Sequence, residues 1–250
     1  MNKILITVLL CIINLYAEDI YATFNVEAQK SANLAFNTGG IIKSVNVDIS
    51  DKVKKDDILV LLNDRDLKSA LKIANANLKK AQVVFKYAKL ELDRQKKLKN
   101  LIDKSSFEKY ESAYESASVN IELMKANIAY KEALLDKTIL RAPFDGVIYD
   151  KNVEKGDVVS GGIIKTVLKI QSQYKRKLIL EFDQKYWKDV KIGDIFEYNI
   201  EGSQAKYSGK ISKIYPVVNS ANRKIKAEVK AKNMPVGLFG NGYIKIAKLK

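Results

Sequence analysis

From Asp64 to Lys99 the chain contains neither glycine nor proline, and Leu67, Leu71, Ala74, Leu78, Ala81, Phe85, Ala88 and Leu92 recur in alternating steps of four and three. Such spacing places all eight on one stripe of a helix, the a/d seam of a coiled coil. A second uninterrupted run carries Phe107, Tyr110, Tyr114, Ala117, Ile121, Met124 and Ile128, breaks at Lys131 and resumes at Leu135. The residues between, Asn100 to Lys104, make a connection of the length that joins antiparallel helices. Ser105 followed by Glu108 reads as a capping box that restarts the helix. Each stripe needs an apolar partner, and the nearest is the other stripe. At 1.5 Å per residue each arm reaches roughly 50 Å, more than a compact domain of this size needs, so the hairpin is expected to project.

The flanks differ in kind. Upstream, Gly39 to Val47 and Ile58 to Leu62 are β-rich runs parted by turn-like residues at Ser50 to Lys52 and Lys54 to Asp57. Downstream, Thr138 to Tyr149 and Val153 to Val159 repeat the scheme. Gly40-Ile41-Ile42 matches Gly146-Val147-Ile148, and Val47 to Val53 matches Val153 to Val159. One structural unit used twice predicts two halves packed face to face as a β-sandwich, with the hairpin inserted between them. After residue 172 short strands are predicted at Lys177 to Phe182, Ile195 to Ile200, Tyr207 to Ile214, Lys224 to Lys230 and Tyr243 to Ile246. Turns fall at Gly193-Asp194, Glu201-Gly202, Asn219 to Asn222 and Gly237 to Gly242, and a short helix at Gln184 to Val190 holds the only tryptophan, Trp187. Strands at this spacing form a small β-barrel.

The N-terminus reads Met1-Asn2-Lys3, an apolar run from Ile4 to Leu15, then Tyr16-Ala17. This is the pattern of a secretory signal, expected to be cut after Ala17, with Ala22 as the alternative. The run is shorter than the roughly 20 residues of a membrane span. The only cysteine, Cys11, lies inside it behind Leu10, a poor match to lipoprotein processing, and is expected to leave with the signal. With no histidine in the chain, the usual zinc, copper and haem ligand sets and the histidine-dependent triads are excluded. No catalytic, cofactor-binding or metal-ligating residue is therefore assigned. Formal charge is +15 over the whole chain. Its lysines are spread evenly, and no basic run is interleaved with stacking aromatics, which argues against nucleic acid. A solvated lysine-rich surface explains most of the charge, with attraction to lipid headgroups or an acidic protein second.

Three motifs together resemble the membrane fusion protein family, the hemolysin-D-like periplasmic adaptors of tripartite efflux pumps. Thr138-Ile-Leu-Arg-Ala-Pro-Phe-Asp-Gly-Val-Ile148 looks like the start of the family's second lipoyl half. Gly209-Lys-Ile-Ser-Lys-Ile-Tyr-Pro216 with Asn222-Arg223 is similar to its barrel strand and arginine turn. Arg94, Leu98 and Ser105 match the family's arginine, leucine and serine at offsets of four and seven. In the family these three contact the tip of the outer-membrane channel, and Leu101 in the connection is placed with them. One departure is Lys54-Lys55-Asp56-Asp57, where the family's charged turn carries a glycine.

The resemblance implies an elongated modular α+β protein: an antiparallel coiled-coil hairpin inserted in a split lipoyl-like β-sandwich, followed by a small β-barrel. The expected boundaries are signal 1–17, N-terminal strand and linker 18–34, first half 35–63, hairpin 64–137, second half 138–171 and barrel 172–250. It implies a periplasmic adaptor peripheral to the inner membrane, without enzymatic activity or cofactor. Its partners would be an inner-membrane efflux transporter and an outer-membrane channel, and its export would concern drugs or other xenobiotics. The Gly237 to Ile246 ending favours a resistance-nodulation-division transporter over an ATP-driven one. Self-association would be as six copies or a trimer of dimers. An envelope coiled-coil scaffold or chaperone is the alternative, and a lipoyl-type carrier a more distant one, because the helices replace the turn that would bear a carrier lysine.

Overall fold

A computed structural model describes residues 15–98, 103–162 and 165–249. In chain order its strands and helices are β1 (Leu15–Ala28), β2 (Ser31–Leu34), β3 (Gly40–Val45), β4 (Lys52–Val53), β5 (Ile58–Leu62), α1 (Arg65–Lys97), α2 (Lys104–Asp136), β6 (Ile139–Arg141), β7 (Gly146–Lys151), β8 (Val158–Val159), β9 (Leu168–Gln171), β10 (Lys175–Asp183), β11 (Ile195–Ile200), β12 (Lys206–Asn219), β13 (Lys224–Lys232) and β14 (Phe239–Leu249). They fall into two compact units. One takes the N-terminal segment up to Ala32 and everything from Gln171, the other Asn33–Ile170.

The first unit is a closed six-stranded barrel in the order β1-β10-β13-β12-β11-β14, closed because β1 pairs with both β10 and β14. Period-two burial makes its core. Ile20, Ala22, Phe24 and Val26 point inward from β1, Leu178, Leu180 and Phe182 from β10, and Ile225, Ala227 and Val229 from β13. Each large side chain among them stabilises by about 1.5–3 kcal/mol through burial. The N-terminal segment read as strand and linker thus supplies a barrel wall, the one that closes it.

Two expectations change here. Gly237 to Gly242 is not all turn, since β14 begins at Phe239. A Cβ on Gly240 would lie 2.1 Å from the Asn199 carbonyl oxygen, and one on Gly242 2.1 Å from that of Glu197. These glycines let β14 approach β11, which a turn-residue reading of glycine misses. The short helix expected over Gln184 to Val190 shrinks to a 3-10 turn at Gln184–Tyr186, its amide at Lys185 capped by the Asp183 carboxylate at 2.8 Å.

The second unit holds two four-stranded sheets, β2-β9-β7-β4 and β6-β5-β3-β8. The repeated halves interlock: β3 of the first pairs with β8 of the second, and β7 of the second with β4 of the first. Their turns superpose bond for bond. Asp48 N–H donates to Asp51 Oδ2 at 2.7 Å and Glu154 N–H to Asp157 Oδ2 at 2.9 Å. Across the sandwich, Ser50 N–H donates to the Ile148 carbonyl and Gly156 N–H to that of Ile42. Ser50 sits at φ 76° and Gly156 at φ 97°, so the serine takes the left-handed turn position that glycine fills in the other half, while Asp56 holds the following turn at φ 70°.

The helices lie between β5 and β6, each 33 residues long, and pack against one another. Ala74, Ala81 and Leu92 of α1 and Phe107 and Ala117 of α2 are buried, and every other residue of the two sequence stripes is half-buried. Lys131 takes its seam place half-buried as well. Phe85 and Tyr114 meet with ring centroids 5.2 Å apart.

Candidate functional site

The joined end of the helix pair gathers the residues singled out by sequence. Arg94 stands in the last turn of α1 with Lys96 and Lys97, where cations complement the carbonyl end of the helix dipole. Its guanidinium reaches Glu91 Oε2 at 3.2 Å but stays 73 % exposed. Gln95 Nε2 donates to the other oxygen of the same carboxylate at 2.8 Å, holding Glu91 in place for Arg94. Leu98 closes the helix: its N–H donates to the Gln95 carbonyl at 3.0 Å while its side chain stays exposed. Leu101 lies outside the described residues.

The restart differs from the sequence expectation. Asp103, extended at φ −69° and ψ 154°, is the N-cap, and Ser105 is the second residue of α2 with an exposed position. The Asp103 carboxylate accepts from the Ser106 N–H at 2.9 Å and its Oγ at 2.7 Å. Those bonds, led by the Ser106 hydroxyl, hold its carboxyl below the usual range. An aspartate adds negative charge at the positive end of the helix dipole, so it outcompetes a serine two residues on. Ser105, at an exposed position, also hydrogen-bonds to the Asp103 carboxylate, and Lys104 beside it pairs with Glu108 at 3.6 Å.

Arg94, Leu98 and Ser105 therefore sit at exposed positions where one helix ends and the other begins. A guanidinium fork of this kind suits carbonyl oxygens or carboxylates at the ends of another protein's helices. Among the described residues no group of three or more acidic or cysteine side chains could hold a metal ion.

A further feature escaped the sequence reading. Ile73, Val83, Tyr87 and Leu90 on α1 are exposed, as are Val119, Leu123 and Tyr130 on α2. They follow the seam positions Leu71, Ala81, Phe85, Ala88, Ala117, Ile121 and Ile128 by two residues, some 200° around the helix. Ile73, Tyr87 and Arg94 fall in one heptad register. The signal was present as a second stripe, hidden because the seam already accounted for the period.

An interlocked barrel-sandwich split by a long helix pair and joined to a six-stranded barrel is the build of a membrane fusion protein. The chain belongs to the CzcB-like, barrel-sandwich hybrid domain family, whose profile matches residues 30–167. It is 24% identical over 212 residues to the cobalt-zinc-cadmium resistance protein CzcB of Cupriavidus metallidurans, covering 82% of this chain and 39% of that one. With the multidrug export protein EmrA of Haemophilus influenzae it shares 26% identity over 248 residues, covering 79% and 62%. The chain thus spans less than two thirds of either relative. The membrane fusion protein Spr0693 of Streptococcus pneumoniae superposes with a TM-score of 0.74 at 16% identity, over 92% of this chain and 99% of that one, a likeness of fold.

Proposed function

We propose that this chain is a periplasmic adaptor that couples an inner-membrane efflux transporter to an outer-membrane exit channel and carries out no chemistry itself. The observation that carries the reading is the exposed set Arg94, Leu98 and Ser105 at the joined end of the helix pair. Leu101, in the connecting segment of the sequence, is assigned the same role. The helix pair acts as a coiled-coil hairpin, and the six domain boundaries read from sequence serve as its working divisions, with β1 added to the barrel.

Several copies assemble side by side through the second apolar stripes. Basic residues outnumber acidic ones on α1, and acidic outnumber basic on α2, so α1 of one copy complements α2 of the next. Six copies, or three dimers, would then enclose a conduit. Export begins with a signal cut after Ala17, since a cut after Ala22 would strip the buried Ile20 and Ala22 from β1. Among the described residues no helix is long and apolar enough to cross a membrane.

The cargo is a drug-like compound, and the transporter is of the resistance-nodulation-division type. Names of relatives point both to metal cations and to drugs. A chain without histidine favours drugs.

The test is Arg94→Asp. Its pair with Glu91 is a solvated one worth a few tenths of a kcal/mol, so the protein should fold normally yet fail to co-purify with the channel, and drug resistance should fall. Undiminished complex with unchanged resistance would sink the docking assignment.

A further inference from the structure

One end of the barrel carries an apolar patch that the adaptor reading leaves unused. There β10 ends at Asp183, β12 ends at Asn219 and β13 begins at Lys224, with Asp183 and Asn219 both level with Lys224. The 3-10 turn at Gln184–Tyr186 folds over this end, its Gln184 N–H donating to the Arg223 carbonyl at 3.0 Å. Trp187, the only tryptophan in the chain, caps that turn and is 65 % exposed. It lines an open cleft with Gln184, Lys185 and Val218, itself 40 % exposed. A tryptophan and a valine held out to water in one cleft call for an occupant.

The rim identifies its chemistry. Lys188 Nζ lies 5.0 Å from the Trp187 ring and Lys185 Nζ 4.8 Å from the Tyr186 ring. The nearby aspartates are partly engaged: Asp183 accepts from the Lys185 N–H and Asp194 from the Lys191 N–H, each below 3 Å. Lysine is depleted where two proteins bury a common core. It is favoured, together with tryptophan, where a surface meets lipid headgroups, because the indole N–H and the ammonium stay in the polar layer while ring and stem enter the apolar one.

We infer that the barrel end formed by Trp187 and Val218, fringed by Lys185 and Lys188, docks on an anionic phospholipid surface. The ring enters the headgroup layer and the cations meet lipid phosphates. This deepens the adaptor reading by giving the inner-membrane side a contact of its own, and it rests on that reading only for which membrane is met.

The experiment uses the exported chain purified from the periplasm, its N-terminus read by mass spectrometry. Vesicles of phosphatidylcholine alone are compared with vesicles containing phosphatidylglycerol. Co-sedimentation and a blue shift of the single tryptophan emission are expected on the anionic vesicles only, fading with salt. Lys185→Ala with Lys188→Ala should weaken partitioning about thirtyfold. Trp187→Ala should weaken it too, with circular dichroism confirming the fold of each variant. Arg94→Asp protein should bind vesicles like the native chain, which separates this contact from channel docking. Equal binding to both vesicle types, sedimentation without an emission shift, or an emission shift produced only by the purified transporter would each overturn the proposal.

Discussion

Leu92 and Leu90 stand two residues apart on α1, one 4 % exposed in the seam and the other 43 % exposed on the outer stripe. Replacing each with alanine separates the two faces of the helix pair. Phe85 meets Tyr114, so Leu92, seven residues further out, is level with Phe107, seven residues earlier on α2. Phe107 is the other well-buried side chain near the tip. A buried leucine cut to alanine costs about 2.7–5 kcal/mol in a compact core. A seam between only two helices can close partly over the gap, which puts Leu92→Ala near the lower end, about 2–3 kcal/mol.

Both helices are held at this level by little else, so the loss should appear as local opening of the tip. Hydrogen exchange followed by mass spectrometry should show amides in the outer turns of α1 and α2 exchanging about thirty- to a hundredfold faster, as 1.4 kcal/mol is a factor of ten. Amides of the barrel should be unchanged. Leu90→Ala should stay within about 0.5 kcal/mol of the native chain in the same assay. At high concentration, however, it should weaken self-association measured by analytical ultracentrifugation. Equal acceleration in both variants, or acceleration in β1 and β10, would refute the seam assignment.

Two further substitutions probe the barrel. Gly242→Ala puts a Cβ 2.1 Å from the Glu197 oxygen and 2.7 Å from the Tyr198 Cα, both backbone atoms that cannot step aside. Urea unfolding should show a loss of about 3 kcal/mol or more, whereas Gly162→Ala, with its nearest neighbour at 3.9 Å, should cost less than about 1 kcal/mol. The Tyr215 hydroxyl donates to Glu228 Oε1 at 2.6 Å, and this bond, with burial and the carboxylate's charge, pushes it up to about 12. A raised phenol pKa stabilises fully below the ordinary value near 10, and the contribution is lost as pH rises through 12. Ultraviolet titration of Glu228→Gln should move one tyrosine back toward 10, and the difference in stability between variant and native chain should shrink above that pH.

The seam residues were legible because a heptad has one simple reading, a helix with a partner. The interlocked sandwich was legible because the halves repeat residue for residue, down to the turn at Ser50, where a serine stands in for the glycine of Gly156. Local chemistry misled where two residues could do one job. Ser105 and Asp103 both suit a cap, and only the extended backbone at Asp103 settles which caps α2.

Sequence by itself determined the helix pair, the duplicated sandwich, the strand character of the last eighty residues and the positions of Arg94, Leu98 and Ser105, because each depends on neighbours within a few turns of the chain or on a repeat visible in one dimension. Tertiary structure decided that β1 closes the barrel, that Gly240 and Gly242 serve β14 against β11, and that Trp187 faces water beside Val218. These depend on which distant backbones meet, and no local pattern of polarity encodes that.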